Sequence, residues 1–237
     1  MKTGCSPAQV LAAVTAVKLA GSLVSCDAAA NAFEIIEATA GGAAHAPAPA
    51  ADTATALVQL ESISVQGRTP KTGYTRDEFG PAWADVNRNG CDTRNDILAR
   101  DMTDETFKPG TNNCVVMTGT LADKYTGTTI TFMRGQDTSS DVQIDHIVAL
   151  SDAWQKGAQQ LNDEQRKELA NYPLNLMAAD GRTNSAKGDK DAATWLPPNK
   201  GFRCEYVTRQ TAVKAKYRLW VTQAEHDAVV GILEGCR

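Results

Sequence analysis

The sequence predicts an α+β domain in which short strands come first and helices follow. Residues 114–121 and 128–133 are rich in β-branched and apolar residues, and the turn residues of 123–127 between them predict a hairpin. The chain beyond residue 150 has mostly helical composition. Of the 237 residues, 42% are hydrophobic and 22% are charged, which is ordinary for one globular domain with an N-terminal extension.

Two more short strands are predicted on either side of a helical excursion. Residues 142–148 form an apolar run with β-branched members, and residues 174–179 form another directly after Pro173. Helices are expected at 151–161 and 162–172. Because proline lacks an N–H donor and clashes with the preceding turn, Pro173 should end the second helix and return the chain to a strand.

The last third of the domain is expected to be helical. A short helix is predicted over 182–190, and longer helices over 202–219 and 223–234. Capping boxes, in which side chains satisfy free backbone groups at a helix start, are expected at two pairs: Asn162 with Gln165, and Thr222 with Glu225.

The N-terminal extension divides into a leader, residues 1–30, and an Ala/Pro-rich linker, residues 31–56, before a domain over 57–237. From residue 38 onward the linker has no large apolar side chain, so it cannot build a core. We interpret it as a flexible tether.

The leader resembles a secretory signal, with a weakly positive start and a small-residue apolar run over 10–24. Residues 23–26 also resemble a lipobox, in which Cys26 would carry a lipid anchor, whereas the alanines that follow offer an ordinary signal-peptidase site. Lys18 interrupts the run, which keeps a disordered Ala-rich leader as the alternative. The expected location is secreted, or lipid-anchored at the cell surface.

The cysteines agree with export. Two lie in the leader and four in the domain, and an even number in an exported domain predicts two disulfides. Three pairings are possible. We favour Cys91 with Cys114 and Cys204 with Cys236, because each closes a short loop. Zinc is disfavoured because no two of them have zinc-knuckle spacing.

The charge is unevenly distributed. The formal net charge is −4, which argues against a nucleic-acid partner, but residues 182–218 contain nine Lys or Arg and only three acids. This segment predicts contact with a phosphate backbone, and the alternative is a solvated helix face.

The strongest chemical signal is Asp145-His146 inside the apolar run of 142–148. His146 can act as a general base, since an unperturbed imidazole has a pKa of about 6.5. Asp145 and Asn184 offer the carboxylate and amide oxygens that suit Mg²⁺ or Mn²⁺. Asn175 would fix the backbone near the site through its side-chain hydrogen bonds.

The pair imposes a geometric condition. Adjacent side chains on a regular strand point to opposite faces, so Asp145 and His146 can share a site only where the strand ends or bulges. Lys187 or Arg182 is expected to hold a phosphate there. The other histidines, His45 and His226, lie in the linker and on a predicted surface helix and are not candidates.

These residues resemble the HNH endonuclease family with its ββα-metal core: Asp145-His146 match its metal-ligand and base pair, Asn175 its central Asn, and Asn184 its final metal position. The closer match is to secreted bacterial proteins similar to the C-terminal HNH domain of GmrSD-type enzymes, over about residues 70–237. The matching blocks are 74–79, 89–96 and 195–198. The resemblance implies a ββα-metal core with an added hairpin and C-terminal helices, stabilised by disulfides, and metal-dependent cleavage of DNA that leaves a 5′ phosphate.

A second metal pattern lies nearer the N-terminus. Asp85-x-Asn87-x-Asn89-Gly90 followed by Asp96 is similar to a calcium-binding loop that ends in Asp instead of Glu. The alternative is a polar turn, which the cation inside the loop, Arg94, favours. Arg94 and Arg76 are candidate contacts to the scissile phosphate, and pairing with nearby acids is their alternative role.

The sequence therefore predicts an exported metal-dependent endonuclease of low sequence specificity, inhibited by salt because its basic segment would contact the phosphate backbone. The alternative is a non-catalytic binding module on the same scaffold. The chain has no Walker-type phosphate loop and no Gly-x-Ser-x-Gly elbow, so nucleotide hydrolysis and esterase chemistry lack support. DNA versus RNA, strandedness and oligomeric state are left open.

Overall fold

The computed structural model describes residues 52–236. The predicted leader, with its lipobox-like and signal-like stretches, and almost all of the predicted linker, including His45, lie outside the described residues. Within residues 52–236, no helix is long and apolar enough to cross a membrane.

The first sheet of the fold has three antiparallel strands. Its strands are β1 (Met102–Phe107), β2 (Val116–Ala122) and β3 (Thr129–Met133), in that order. The predicted hairpin is β2 and β3. Strand β1, and helix α2 (Thr93–Asp101) before it, were not predicted from the sequence.

A second, two-stranded sheet carries the Asp145-His146 pair. Strand β4 (Val142–His146) pairs antiparallel with β5 (Leu176–Asp180) in unbroken register from Val142 opposite Asp180 to His146 opposite Leu176. The excursion between them consists of α3 (Leu150–Gln155) and α4 (Asp163–Asn171), and α5 (Gly181–Lys187) follows β5 directly. The chain thus has the expected order of strand, excursion, strand and helix.

Local sequence explains where the excursion helices begin and end. The capping box at Asn162 and Gln165 forms at the start of α4, as predicted. Helix α3 ends earlier than predicted, because Gly157 adopts a positive φ of 121° and only a short 3-10 turn follows it.

Three helices pack against one another. Helix α1 (Thr53–Ser62) packs against α6 (Arg203–Lys216) and α7 (Gln223–Leu233). It begins before residue 57, the expected domain boundary, because the side chain of Asp52 accepts a hydrogen bond from the Ala54 N–H and caps its first turn. The folded part therefore includes the end of the predicted linker.

Both favoured disulfides are present. Cys91–Cys114 ties the segment before α2 to the segment before β2, and Cys204–Cys236 ties the start of α6 to the end of the chain. Each bond removes conformational freedom from the unfolded chain, which compensates for small sheets and short helices.

A buried ionic network links the helices. The ammonium of Lys156 is fully buried and lies 2.8 Å from Asp152, 2.7 Å from Asp191 and 2.6 Å from Glu225. Lys214, also buried, pairs with Asp152 and Glu225. Because buried charges are tolerated only when they are paired, this network fixes α3, α6, α7 and the segment after α5 relative to one another.

Candidate functional site

The C-terminal end of β4 and the adjacent helix α5 form one wall of an open pocket of about 260 Å³. Asp145, His146 and Asn184 all line it. His146 is the last residue of β4, so the strand ends where the pair occurs, which meets the condition that both side chains share a site. The other lining residues are Tyr74, Arg76, Ile144, Ala149, Leu150, Ser151, Gly188 and Asp189.

His146 is held rigidly by a backbone contact. Its Nε2 lies 2.8 Å from the carbonyl oxygen of Ala170. Since a carbonyl only accepts, Nε2 must carry the proton in this bond, and the lone pair of the neutral ring is on Nδ1. Burial lowers the pKa of His146 to about 3, and the positive charge of Arg76 adds to the effect. The imidazole is therefore neutral at physiological pH, as a general base must be, but a pKa this far below neutrality makes it a weak base.

Trp83 covers the same imidazole. The two rings lie nearly parallel, with centroids 6.0 Å apart and 17° between their planes. Trp83 has a φ of 59°, an uncommon conformation for a bulky residue, and the N–H of Thr93 donates to its carbonyl. The guanidinium of Arg76 lies 6.0 Å from the centroid of its indole ring. No sequence motif predicted a tryptophan at this site.

Asp145 is buried and anchored from behind. The hydroxyl of Tyr125 donates to its Oδ2 at 2.5 Å, and the ammonium of Lys187 lies 3.0 Å from both carboxylate oxygens. Lys187 also donates to the carbonyl of His146 at 2.7 Å. Lys187 is completely buried, so its position differs from the expected phosphate contact.

Asn184 is presented by the second turn of α5. Its Nδ2 donates to Oε1 of Gln143 on β4 at 2.8 Å, so its amide oxygen is the atom available to a cation. The helix is oriented at its start by Asp180, whose carboxylate accepts from the N–H of Thr183 at 2.7 Å.

Asn175 lies behind the site and connects its backbone segments. It is fully buried, and its Oδ1 accepts from the N–H of Val148 at 2.8 Å. Its Nδ2 donates to the carbonyls of Val148 and Leu169 at 3.3 and 3.4 Å. The side chain thus fixes the chain just after β4 to the end of α4, without lining the pocket.

The pocket contains a second carboxylate, which was not predicted from the sequence. Asp189 accepts from the Ser151 hydroxyl at 2.9 Å and from Lys71 at 3.2 Å. The hydrogen bond from Ser151, together with Lys71, holds the pKa of Asp189 below its ordinary value, so it is ionised at neutral pH. Its position directly after Gly188, at the end of α5, was the signal that could have identified it.

The four candidate phosphate contacts are placed differently. Arg76 is exposed and lines the pocket. Arg182 is exposed on the first turn of α5, outside the residues that line the pocket. Arg94 is half-buried, and burial and the nearby Arg134 lower the pKa of its guanidinium. With Lys187 buried, Arg76 is the candidate best placed to reach a phosphate.

The calcium-like loop forms a network of its own. The Asp85 carboxylate accepts from the N–H groups of Asn89 and Gly90, and the amides of Asn87 and Asn89 donate to Asp96. These are the bonds of a polar turn, the alternative that the sequence left open, and calcium binding here stays a prediction.

Comparison with known proteins identifies the family. The family model described as "GmrSD restriction endonucleases, C-terminal domain" matches residues 92–232, which is more than half of the chain. The chain belongs to this family. A protein of Arthroderma benhamiae described as an uncharacterized secreted protein is 36% identical over 190 residues, covering 79% of this chain and 87% of that protein. No solved structure matches the chain.

Membership of the GmrSD C-terminal family confirms the resemblance drawn from the motifs and indicates a nuclease-like function. The secreted relative and the two disulfides are consistent with an extracellular location.

Nucleases of the HNH type generally use a divalent metal, and the donor atoms of this GmrSD C-terminal domain determine whether such an ion fits. Within residues 52–236, no group of three or more His, Cys, Asp and Glu side chains is placed to hold a metal ion. Asp145 and Asn184 instead supply one carboxylate and one amide oxygen to the same pocket. This set fits Mg²⁺ or Mn²⁺, because such ions are usually held by one or two protein oxygens and keep several waters.

Proposed function

We propose that this protein is a metal-dependent endonuclease that hydrolyses phosphodiester bonds of DNA with low sequence specificity. The observation that carries the proposal is the convergence of Asp145, His146 and Asn184 on one open pocket at the end of β4. Membership of the GmrSD C-terminal family supports the same chemistry.

His146 is the proposed general base. Its Nε2 is occupied by the Ala170 carbonyl, which leaves Nδ1 to accept a proton from the attacking water. Its neutral state and the rigid contacts from Ala170 and Trp83 keep the base ready in one orientation.

Asp145 and Asn184 are the proposed ligands of one Mg²⁺ or Mn²⁺ ion. When bound, the ion would supply positive charge to the phosphate and to the leaving oxygen. Asn175 keeps the segment after β4 in place, and Gln143 orients the amide of Asn184.

Arg76 is the proposed contact to the scissile phosphate, since it is exposed at the rim of the pocket. The exposed Arg182 would contact the flanking backbone together with the other exposed cations of segment 182–218, which are Lys190, Lys200, Lys216 and Arg218. The buried Lys187, Arg209 and Lys214 of the same segment cannot, which corrects the expectation for the segment as a whole. Backbone contacts position nucleic acid without reading its sequence, which supports low specificity.

The test is cleavage of plasmid and single-stranded DNA by the oxidised full-length protein, with Mg²⁺, Mn²⁺ or EDTA. His146→Ala is compared with His226→Ala, which removes a half-buried histidine of α7 that does not line the pocket. We expect metal-dependent cutting that EDTA abolishes, a loss of at least about 100-fold in His146→Ala, and little change in His226→Ala.

A folded wild-type protein that binds Mn²⁺ and DNA but cuts neither substrate would contradict the proposal. That result would favour the binding module instead. Equal rates for the two histidine variants would show that another group acts as the base.

A further inference from the structure

Lys187 has an unusual environment for a lysine in a basic segment. Its side chain is completely buried, and all its described partners belong to the two residues of the predicted site. Both oxygens of Asp145 lie 3.0 Å from the ammonium, and the carbonyl of His146 lies at 2.7 Å. Burying an ammonium is costly unless it is paired, so these contacts determine where the side chain can lie.

Lys187 also connects two elements of the site. It lies three residues after Asn184 on α5, so both side chains project from the same face of that helix. Asn184 bonds to Gln143, and Lys187 bonds to Asp145 and to the His146 backbone, all on β4. These hydrogen bonds and the ion pair between α5 and β4 therefore set the distance between Asp145 and Asn184, the two proposed cation ligands.

We infer that Lys187 is a positioning residue whose buried ammonium neutralises Asp145 and fixes the end of β4, so that the site is assembled before a cation binds. The inference rests on the proposed function, because it assigns Lys187 to the assembly of that site. It replaces the phosphate contact expected from the sequence.

The Asp145 carboxylate can contact Lys187 and a divalent ion at the same time. An ionised carboxylate has about four lone-pair positions. Lys187 and Tyr125 approach Asp145 from the buried side, while Asp145 also lines the open pocket. One position toward the pocket is thus left for a divalent ion.

The ammonium has two opposing effects on such an ion. It holds the ligand in place, but its positive charge repels a cation that shares the same carboxylate. Removing the charge should therefore tighten cation binding while the catalytic rate falls, because Asp145 and the His146 backbone lose their fixed positions. General destabilisation of the fold would not produce this opposite pair of changes.

The experiment compares wild type, Lys187→Met, Asp145→Asn and the double variant in the oxidised full-length protein. Lys108→Met, which removes an exposed lysine after β1, is the control. Thermal unfolding is measured in EDTA, Mn²⁺ binding by calorimetry, and DNA cleavage at saturating Mn²⁺ well below the melting temperature.

In EDTA we expect Lys187→Met to lower the melting temperature by roughly 10 °C, because Asp145 becomes an unpaired buried charge. The melting temperature of the double variant should fall by less than the sum of the two single decreases, since Asp145→Asn removes that charge. With Mn²⁺, Lys187→Met should bind about tenfold more tightly and turn over at least about tenfold more slowly. Lys108→Met should match wild type in every measurement.

Two results would overturn the inference: additive losses of stability in the double variant, or a Lys187→Met protein with the wild-type Mn²⁺ affinity and rate. If the wild type binds no Mn²⁺ and cuts no DNA, the proposed function fails instead. The coupling between Lys187→Met and Asp145→Asn in thermal unfolding, measured in EDTA, would still decide whether Lys187 fixes Asp145.

Discussion

The indole of Trp83 lies nearly parallel to the imidazole of His146, with 6.0 Å between the ring centroids, and the backbone of Trp83 adopts a positive φ to place it there. A residue in this sparsely populated conformation persists only when its surroundings hold it. Here the Thr93 N–H bonds to the carbonyl of Trp83, and the Thr93 hydroxyl bonds to the carbonyl of Ala84. The start of α2 therefore holds the cover over the proposed base.

The first prediction concerns this cover. In Trp83→Leu, His146 loses its stacking partner and its shield, so we expect DNA cleavage to fall by about tenfold or more, since small displacements of a catalytic group are costly. Modification of His146 by diethylpyrocarbonate, followed by mass spectrometry, should become faster. Trp220→Leu is the control, because the Trp220 indole donates its hydrogen bond to the Gly67 carbonyl and does not stack on His146. If His146 is modified at the wild-type rate in Trp83→Leu, Trp83 does not shield it.

The second prediction compares two buried asparagines. Asn175→Ala removes an acceptor for Val148 N–H and two donor bonds, and should cost about 2–4 kcal/mol of unfolding free energy. Asn171, equally hidden, makes one bond within its own helix to Lys167, and its Oδ1 has no hydrogen-bond partner among the described residues. Asn171→Ala should therefore cost about 1 kcal/mol.

Urea unfolding of both asparagine variants measures the difference. Cleavage by Asn175→Ala, assayed where it is still folded, should also fall, because the chain after His146 is released. Equal losses of stability in the two variants would contradict the central role of Asn175.

The elements that the sequence predicted well are those with local signals. The capping pair Asn162 and Gln165 marks the start of α4, and the turn residues of 123–127 define the hairpin of β2 and β3. Helix α1 was missed because its Ala- and Thr-rich first half resembles a tether. Only packing of Ala56 and Leu60 against other parts of the chain makes it part of the fold.

The candidate site was predictable in its residue types but not in its depth. Asp145, His146 and Asn184 share a pocket as their spacing suggested. Lys187 and Arg182 belong to one basic segment, yet Lys187 is buried and Arg182 is exposed. Which of the two is buried depends on which side of α5 faces β4. Burial of this kind depends on tertiary packing and has no local sequence signal.

The third prediction concerns the phosphate contacts. DNA cleavage should decrease steeply between about 50 and 200 mM salt, as expected for binding dominated by phosphate contacts. Arg76→Ala should lower kcat and raise KM, since Arg76 lines the pocket, whereas Arg182→Ala should raise KM alone. Each change should reduce the slope of log affinity against log salt by about 1.

Arg88→Ala is the control for the arginine series, because Arg88 is exposed in the polar turn and does not line the pocket. A wild-type rate and salt slope in Arg76→Ala would exclude Arg76 as a phosphate contact. Salt-insensitive, sequence-selective cleavage would contradict the backbone-contact mechanism as a whole.

The fourth prediction concerns the buried ionic network. Lys156 is the common partner of Asp152, Asp191 and Glu225, so Lys156→Met leaves three buried carboxylates with less positive charge around them. Removing one partner of a buried pair typically costs about 3–5 kcal/mol, which corresponds to a decrease of roughly 10 °C in melting temperature for a domain of this size. Lys216→Met removes an exposed lysine that pairs with Glu168, and should cost less than about 1 kcal/mol. Thermal unfolding in EDTA separates the two variants. A small loss in Lys156→Met would mean that Lys214, with Arg68 at 2.9 Å from Asp152 and 2.8 Å from Asp191, compensates the carboxylates.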